Sequence, residues 1–274
     1  MIDDDPIGRQ NFRRAIAVPD ERIDLGRAAL YLAQEDDPHL DPEATLATLD
    51  RMAQALHSRL PPERYPLRVI HTINDYLYGE LSFCGNRQDY YNPRNSFLHQ
   101  VLAHRTGIPI SLSLVYLELA RRIDFPMVGI GMPGHFLIQP DFEGAGIFVD
   151  AFEGGEILFE QDCQAKLQQI YQQPVSLERH WLQPIGNRQF LARMLTNLKA
   201  IYLERQDVAR TLAAVERIVL LFPEAARERR DRGLLYYQLG DRQAAARDLA
   251  YYLQCEPNAR DAATIRRLWA ELAG

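Results

Sequence analysis

The sequence predicts an α+β protein that is mostly helical, and three observations support this class. Apolar residues recur at helical spacing through the first 80 residues, residues 134–150 alternate as two short strands do, and the C-terminal part is helical with an internal repeat. We therefore expect a domain with a small sheet over residues 1–173, a linker at 174–191, and a helical repeat region at 192–274.

The N-terminal part of the chain predicts three helices. The first has an apolar stripe at i, i+3, i+4 and i+7 spacing, formed by Leu25, Ala28, Ala29 and Leu32. The second should begin at Pro42, because Asp41 is a favoured N-cap and proline is favoured at the first helical position. The third is predicted over residues 66–80.

The middle of the chain, residues 81–130, predicts a loop followed by two helices and a short strand. Residues 81–96 cluster Gly, Asn, Asp and Pro, which predicts a loop. A helix is predicted over 96–105, and a second one over 111–123 is apolar nearly all round, which indicates that it is buried. A short strand at 127–130 should then precede a hairpin.

The hairpin is the most informative feature, because it presents one histidine and one aspartate. Residues 134–139 and 147–150 predict the two antiparallel strands, with His135 on the first and Asp150 on the second. A carboxylate beside an imidazole fixes its tautomer and raises its basicity, as in a nucleophile–His–Asp site. The alternatives are a packed histidine bonded to Asp150, or an aspartate that simply ends a strand.

The C-terminal part of the chain repeats with a period of 34 residues, measured from Pro223 to Pro257. This is the period of the tetratricopeptide repeat, a helix–turn–helix unit. The second unit matches the small, aromatic, turn and terminating positions of that repeat better than the first does. A plain helical extension is the alternative, and residues 259–272 predict a last helix that caps the array.

Composition limits the partners and the compartment. A net charge of −6 argues against sequence-independent nucleic-acid binding, and no apolar run is long enough to cross a membrane. The cysteines Cys84, Cys163 and Cys255 are odd in number and far apart, which argues against a disulfide framework or a zinc ribbon. The acidic N-terminus lacks the features of a signal peptide. We expect a cytoplasmic protein with no cofactor and no metal; His99 and His104 lack a metal-ligand spacing.

Four runs of residues carry a resemblance to a known family: NRQDYYNPRNS at 86–96, GIPISLS at 107–113, PGHF at 133–136 and VDAF at 149–152. They are similar to the SirB-type family of bacterial proteins of uncharacterised function. Members of that family have a transglutaminase-like domain followed by tetratricopeptide repeats. The resemblance extends from about Ile23 to the C-terminus.

This resemblance implies a fold and a set of site residues. The wider transglutaminase-like and papain-like superfamily packs a helix on an antiparallel sheet, and its active members attack an acyl group with a cysteine at the helix start. By resemblance, His135 and Asp150 match the superfamily His and Asp. Ser111 stands at the nucleophile position, with Ser113 the next choice. The polar residues that could form the rim of the site are Asp89, Arg94 and Asn95 of the loop, together with Ser113.

A serine at the start of the helix changes the expected chemistry. A helix N-terminus lowers the pKa of a thiol enough to form thiolate, but a serine hydroxyl is far less acidic and needs a general base and an oxyanion hole. Ser111 could instead be a helix N-cap. A substitute role for Cys84, reaching His135 from the loop, is a further alternative.

Two functions from different classes therefore remain. The first is a non-catalytic interaction or regulatory protein that contacts a protein partner through its C-terminal repeats. The second is an acyl-transfer enzyme, or an amide or ester hydrolase, that uses Ser111, His135 and Asp150. We favour the first because position 111 lacks a thiol. The sequence does not determine the oligomeric state.

Overall fold

The computed structural model of the chain describes residues 6–142 and 144–273. The chain divides into two compact units, one ending at Leu191 and the other beginning at Ala192. About 62% of the protein is helical, and the first unit contains a small antiparallel sheet. The predicted α+β class is confirmed.

Helices form the N-terminal part of the first unit, as the apolar spacing predicts. Their bounds are Ile7–Ala15 (α1), Leu25–Asp36 (α2), Pro42–His57 (α3) and Pro66–Asn74 (α4). The Asp41 side chain accepts from the amides of Glu43 and Ala44, which confirms it as the N-cap of α3. The third predicted helix, 66–80, is present but changes form, because α4 continues as a π-helical turn, Asp75–Glu80.

The predicted loop, residues 81–96, follows the π-helical turn. It contains a two-residue strand, Cys84–Gly85 (β1), which pairs in parallel with Thr106–Gly107 (β2), and a short 3-10 turn at Pro93–Ser96. Two helices follow, Leu98–His104 (α5) and Pro109–Arg122 (α6). Every residue of α6 from Pro109 to Ala120 is buried, so the predicted burial of this helix is confirmed.

The sheet has five strands in the order β6-β5-β4-β3-β7, and every neighbouring pair is antiparallel. Their bounds are Met127–Ile130 (β3), Leu137–Pro140 (β4), Phe148–Asp150 (β5), Glu156–Leu158 (β6) and Pro184–Ile185 (β7). Helix α7, Glu160–Tyr171, packs on the sheet through Cys163 and Leu167, which share an apolar cluster with Ile130 and Leu137. The α6 helix packs against β3 and β4.

The segment 174–191, which we expected to be a linker, differs from that prediction. It contributes strand β7 to the sheet and buries Leu182 in the cluster between the sheet and α7. It therefore belongs to the first compact unit. The prediction of a linker rested on Pro174, Pro184 and Gly186, of which Pro184 lies in β7 itself.

The second unit is helical throughout its described residues. The last five helices are Asn187–Glu204 (α8, which contains the boundary between the units), Val208–Leu221 (α9), Ala226–Gln238 (α10), Arg242–Cys255 (α11) and Ala262–Ala273 (α12). Helices α9 and α11 both have 14 residues. Their N-caps, Asp207 and Asp241, each accept from the backbone amide three residues later. The two predicted 34-residue repeats thus have matching helices and N-caps.

Close packing in the second unit depends on a small residue. An added Cβ at Gly233 of α10 would lie 3.0 Å from Leu249 of α11, so the glycine permits the two helices to approach. Arg232 and Asp248 form an ion pair across the same interface, with 2.6 Å between Nε and Oδ2. Along the described chain, no helix has the length and apolarity needed to span a membrane.

Candidate site around His135 and Asp150

His135 and Asp150 lie side by side, with 2.7 Å between the His135 Nε2 and Asp150 Oδ2 atoms. His135 lies two residues before β4, in a turn where Gly134 has a φ of +74° and the His135 amide donates to the Met132 carbonyl. Asp150 is the last residue of β5. The prediction that His135 lies on the first strand of the hairpin is therefore wrong, because β4 begins only at Leu137 and the histidine reaches the aspartate from the turn before it. The His135 side chain is 10% exposed and that of Asp150 is fully buried.

Every side-chain oxygen of Asp150 has partners. Oδ1 accepts from the amides of Phe152, at 3.0 Å, and Glu153, at 3.3 Å, while Oδ2 accepts from His135 and from the ammonium group of Lys166. Burial on its own would raise the pKa of the Asp150 carboxyl. The hydrogen bonds and charges of His135 and Lys166 outweigh burial and hold that pKa below its usual range.

Lys166 is a member of this site that the sequence did not indicate. It lies on α7 and also donates to Glu156 Oε2 at 3.1 Å. Burial would lower the pKa of Lys166, but its bonds to Asp150 and Glu156 raise it overall, so the ammonium form is favoured. No spacing in the sequence connects Lys166 to the hairpin, because only the packing of α7 on the sheet brings it there.

Ser111 lies at the third position of α6 and is fully buried. Its hydroxyl donates to the Asn95 carbonyl at 2.5 Å, lies 3.2 Å from the Ile108 carbonyl, and accepts from the Ile108 amide at 3.0 Å. Among the described residues, none of its hydrogen bonds goes to His135. The N-cap of α6 is Ile108, so the alternative that Ser111 is the N-cap residue is wrong by three positions.

The loop that Ser111 anchors is held by asparagine side chains. Asn95 is buried, and its amide donates to the carbonyls of Asp89, at 2.6 Å, and Tyr90, at 3.1 Å. Asn86 donates to Asn95 Oδ1 at 3.1 Å. Asn95 therefore shapes the loop from inside. The Asp89 side chain is exposed and accepts from the Asn92 side chain at 2.7 Å.

The other two expected rim residues occupy opposite environments. Arg94 is exposed, and within the described chain its hydrogen bonds are made by its backbone. Ser113 is fully buried, and its hydroxyl has no hydrogen-bond partner among the described residues. Cys84 is exposed on β1.

Two aromatic side chains that the sequence did not assign to the site lie on one side of His135. The Phe152 ring meets the His135 ring edge to face at 6.4 Å between centroids, and Tyr90 meets Phe152 at 6.0 Å. On the other side, an added Cβ at Gly134 would lie 2.8 Å from Ile170 of α7. Phe152 is therefore the aromatic contact of the His135 ring, and Ile170 packs against the glycine before it.

The turn between β5 and β6 is also tied to α4, the helix before the loop. The Asn74 side chain donates to the Gly155 carbonyl at 2.7 Å and accepts from the Tyr116 hydroxyl at 3.1 Å. Tyr78, on the π-helical turn, has a buried hydroxyl without a partner in the described part of the chain. Burial, and secondarily the charge of Asp150, raise the pKa of Tyr78.

Within residues 6–142 and 144–273, no three His, Cys, Asp or Glu side chains are gathered as ligands of a metal ion. The His104 ring lies 3.2 Å from the Gln100 side chain, and His99 lies 3.0 Å from the same residue. These histidines are therefore engaged with a neighbour on their own helix.

Comparison with known proteins agrees with this architecture. A family model described as the transglutaminase-like superfamily matches residues 43–196, and a tetratricopeptide repeat model matches residues 198–270. A UPF0162 protein of Xylella fastidiosa is 34% identical over 253 residues, which cover 91% of this chain and 90% of that protein.

Two further relatives show how the similarity is distributed. A UPF0162 protein of Vibrio cholerae is 30% identical over 239 residues, covering 87% of this chain and 88% of that protein. F-box only protein 21 of Mus musculus is 45% identical over 105 residues, which cover 35% of this chain and 17% of that protein. The bacterial matches extend over nearly the whole of both chains. The chain therefore belongs to the transglutaminase-like superfamily and, within it, to the family of bacterial proteins named UPF0162.

Proposed function

We propose that this protein is a non-catalytic interaction or regulatory protein of the cytoplasm. In this proposal the transglutaminase-like domain is a framework without a working nucleophile, and the repeat region, 192–274, contacts a protein partner. We also propose that the chain is a protein of the SirB-type family that its motifs resemble. The net charge of −6 is unfavourable for direct nucleic-acid binding, so any regulatory role would act through protein contacts.

The observation that carries the proposal is the state of the Ser111 hydroxyl. It is fully buried and is already bonded to the backbone of Asn95 and Ile108. An attacking hydroxyl must reach both a general base and the substrate carbonyl. Ser111 would have to give up its bond to the Asn95 carbonyl and leave that acceptor buried without a partner, which costs about 1–3 kcal/mol.

A specific observation keeps the enzyme class as a second candidate. The Nε2–Oδ2 contact of 2.7 Å between His135 and Asp150 orients the imidazole as the carboxylate does in acyl-transfer enzymes. If catalysis survives, Ser111 is the nucleophile, His135 the base and Asp150 the orienting group, acting on an amide or ester. The competing interpretation is that Asp150 holds the His135 ring as part of the packing.

A covalent probe distinguishes the two candidates. A fluorophosphonate labels serine hydroxyls that a neighbouring base activates, and the full-length protein would be treated with it beside a known serine hydrolase as the positive control. We expect no labelling of Ser111 by mass spectrometry of the digested protein. Labelling that disappears in both Ser111→Ala and His135→Ala would establish an activated nucleophile and refute the non-catalytic proposal.

The second part of the proposal is that exposed apolar side chains of the repeat region contact a protein partner. Leu234 and Tyr237 lie three residues apart on α10, on one side of that helix, and both are exposed. Tetratricopeptide repeats generally mediate protein interactions. We would compare captures from a bacterial lysate by the tagged full-length protein, by a Leu234→Ser, Tyr237→Ser variant, and by a control with exposed Leu67→Ser. A protein that the first variant alone fails to capture is expected; identical captures would contradict the role of the repeats.

A further inference from the structure

A cavity of about 570 Å³ lies beside β3, and neither His135 nor Asp150 lines it. Its wall includes the four consecutive residues from Pro126 to Gly129. Successive side chains of a strand point to opposite faces of the sheet, so a cavity over one face would meet alternate residues. Four consecutive residues therefore place this cavity along the backbone edge of β3.

That edge of β3 is only half covered. On one side β4 pairs with all four residues of β3, whereas on the other side β7 pairs with Gly129 and Ile130 alone. Beyond Ile185 the chain leaves the sheet, because the Asn187 amide bonds to Asp20 Oδ2 at 3.0 Å and α8 begins there. The strand position beside Met127 is therefore open.

The backbone of Met127 offers a donor and an acceptor to the open position. The Pro126 carbonyl accepts from the Asp141 amide at 2.9 Å, on the β4 side of the strand. Backbone groups of neighbouring strand residues point to opposite edges, so the N–H and C=O groups of Met127 point away from β4. Among the described residues, neither group has a hydrogen-bond partner. Unpaired strand edges are sites where another chain can add a strand.

The walls of the cavity combine apolar groups with a buried carboxylate that has ion-pair partners. Ile23, Leu117 and Phe190 are buried apolar residues that line it. The buried Glu118 carboxylate, also on the wall, is paired with Arg121 at 3.0 Å, so it is already neutralised. The apolar residues provide surface for the side chains of a strand seated along the edge.

The remaining charges around the cavity favour a basic occupant. Glu21 and Asp141 are exposed, and in the described part of the chain neither carboxylate has an ion-pair partner. Asp24, a third carboxylate on the wall, is already paired with Arg27 at 3.8 Å, while Arg22 is the opposing cation. Residues 1–191 as a whole carry 26 acidic and 17 basic side chains. Both the local and the wider charge therefore attract a positively charged segment.

We propose that the open edge of β3 binds a short, extended peptide segment with basic and apolar side chains, which adds to the sheet beside Met127. Hydrogen bonds with the Met127 backbone would hold the segment in the strand position that β7 leaves empty. Basic side chains would lie near Glu21 and Asp141. This site goes beyond the proposed function, because it lies in the first unit and involves neither the repeats nor Ser111.

The test uses two synthetic octapeptides with blocked ends, one of alternating Lys and Val and one of alternating Glu and Val. Binding to the full-length protein would be measured by isothermal titration calorimetry at two salt concentrations. We expect the Lys/Val peptide to bind, more weakly at the higher salt concentration, and the Glu/Val peptide not to bind. Equal binding of the two peptides, or no binding of either, would overturn the proposal.

A matched pair of substitutions tests the backbone contact. Met127→Pro removes the N–H group that points to the open edge, whereas Met127→Ala keeps it and shortens only the side chain. We expect Met127→Pro to weaken binding of the Lys/Val peptide roughly tenfold, and Met127→Ala to weaken it by less than about threefold. Urea unfolding of each variant checks that the fold is kept. Unchanged binding in a folded Met127→Pro variant contradicts the proposal.

A second variant covers the case in which Met127→Pro does not fold. The double substitution Glu21→Gln, Asp141→Asn removes two exposed carboxylates, and we expect weaker peptide binding with a smaller dependence on salt. Unchanged binding and salt dependence would contradict the assignment. If sedimentation shows a dimer that this variant abolishes, the edge holds a second copy of the chain and the peptide proposal is wrong. The fluorophosphonate result at Ser111 is independent of every one of these outcomes.

Discussion

Lys166 and His135 donate to the same oxygen atom, Oδ2 of Asp150. In a nucleophile–His–Asp site the carboxylate stabilises the charge that develops on the imidazole. Here an ammonium group from α7 already neutralises that carboxylate. The arrangement ties α7 to the hairpin that carries Asp150, which is a structural role consistent with a site that has no thiol.

Removing Lys166 should therefore destabilise the fold. We expect Lys166→Met to lower the free energy of unfolding by about 2 kcal/mol, less than the ~3–5 kcal/mol for breaking a fully buried pair, because Lys166 is partly exposed. Urea unfolding at pH 7 measures the loss. In an Asp150→Asn background the same substitution should cost much less; an equal cost in both backgrounds would show that Lys166 stabilises the protein by some other contact.

The lowered pKa of Asp150 makes stability depend on acid. A carboxyl whose pKa is lower in the folded than in the unfolded protein contributes stability that is complete above the unfolded value, about 3.9 for Asp. That contribution is lost as the pH falls from about 4 through the folded value. We expect the free energy of unfolding to decline over this range, and Asp150→Asn to make the decline shallower. A wild-type and variant pair with parallel pH curves would contradict the assignment.

Two buried serines on one helix should respond differently to the same substitution. Ser111→Ala leaves the Asn95 carbonyl and the Ile108 amide without their partner, so we expect a loss of about 1–3 kcal/mol. Ser113→Ala removes a buried hydroxyl that has no partner among the described residues, so we expect no loss or a small gain. Thermal and urea unfolding of the two variants gives the comparison. Equal losses of unfolding free energy in the two variants would mean that the Ser111 hydrogen bonds do not stabilise the fold.

The contact between Asn74 and the turn that joins β5 to β6 can be tested with two neighbouring glycines of that turn. Gly154 and Gly155 both have positive φ, so alanine costs backbone strain at either position. An added Cβ at Gly155 would also lie 2.2 Å from Asn74 Oδ1, whereas at Gly154 it would meet nothing within 4 Å. We expect Gly154→Ala to cost about 1 kcal/mol and Gly155→Ala clearly more. Chemical denaturation decides the order, and a Gly155→Ala variant as stable as Gly154→Ala would show that the contact is dispensable.

Local patterns predicted much of the fold because their causes are local. The Asp41–Pro42 start of α3, the burial of α6 and the 34-residue repeat follow from capping, apolar periodicity and turn residues within a few positions. The linker at 174–191 was predicted wrongly for the same reason. Its Pro and Gly residues indicate turns, but the pairing of β7 with β3 joins residues about 55 positions apart, which no local pattern reveals.

The candidate site was predicted in part. His135 lies two residues before β4 and Asp150 ends the neighbouring β5, so their contact follows from one hairpin. Lys166 and Phe152 were missed, since their approach depends on how α7 and the loop after β5 pack.

The sequence by itself determined the mostly helical α+β class, the repeat, and the absence of a thiol at the start of α6. Tertiary structure alone decided what the serine in that place does. The chain folds so that the Asn95 carbonyl meets the Ser111 hydroxyl in a buried space, and a buried acceptor must be satisfied. Packing likewise brought the Lys166 ammonium group to Asp150, because α7 and the sheet share one apolar core.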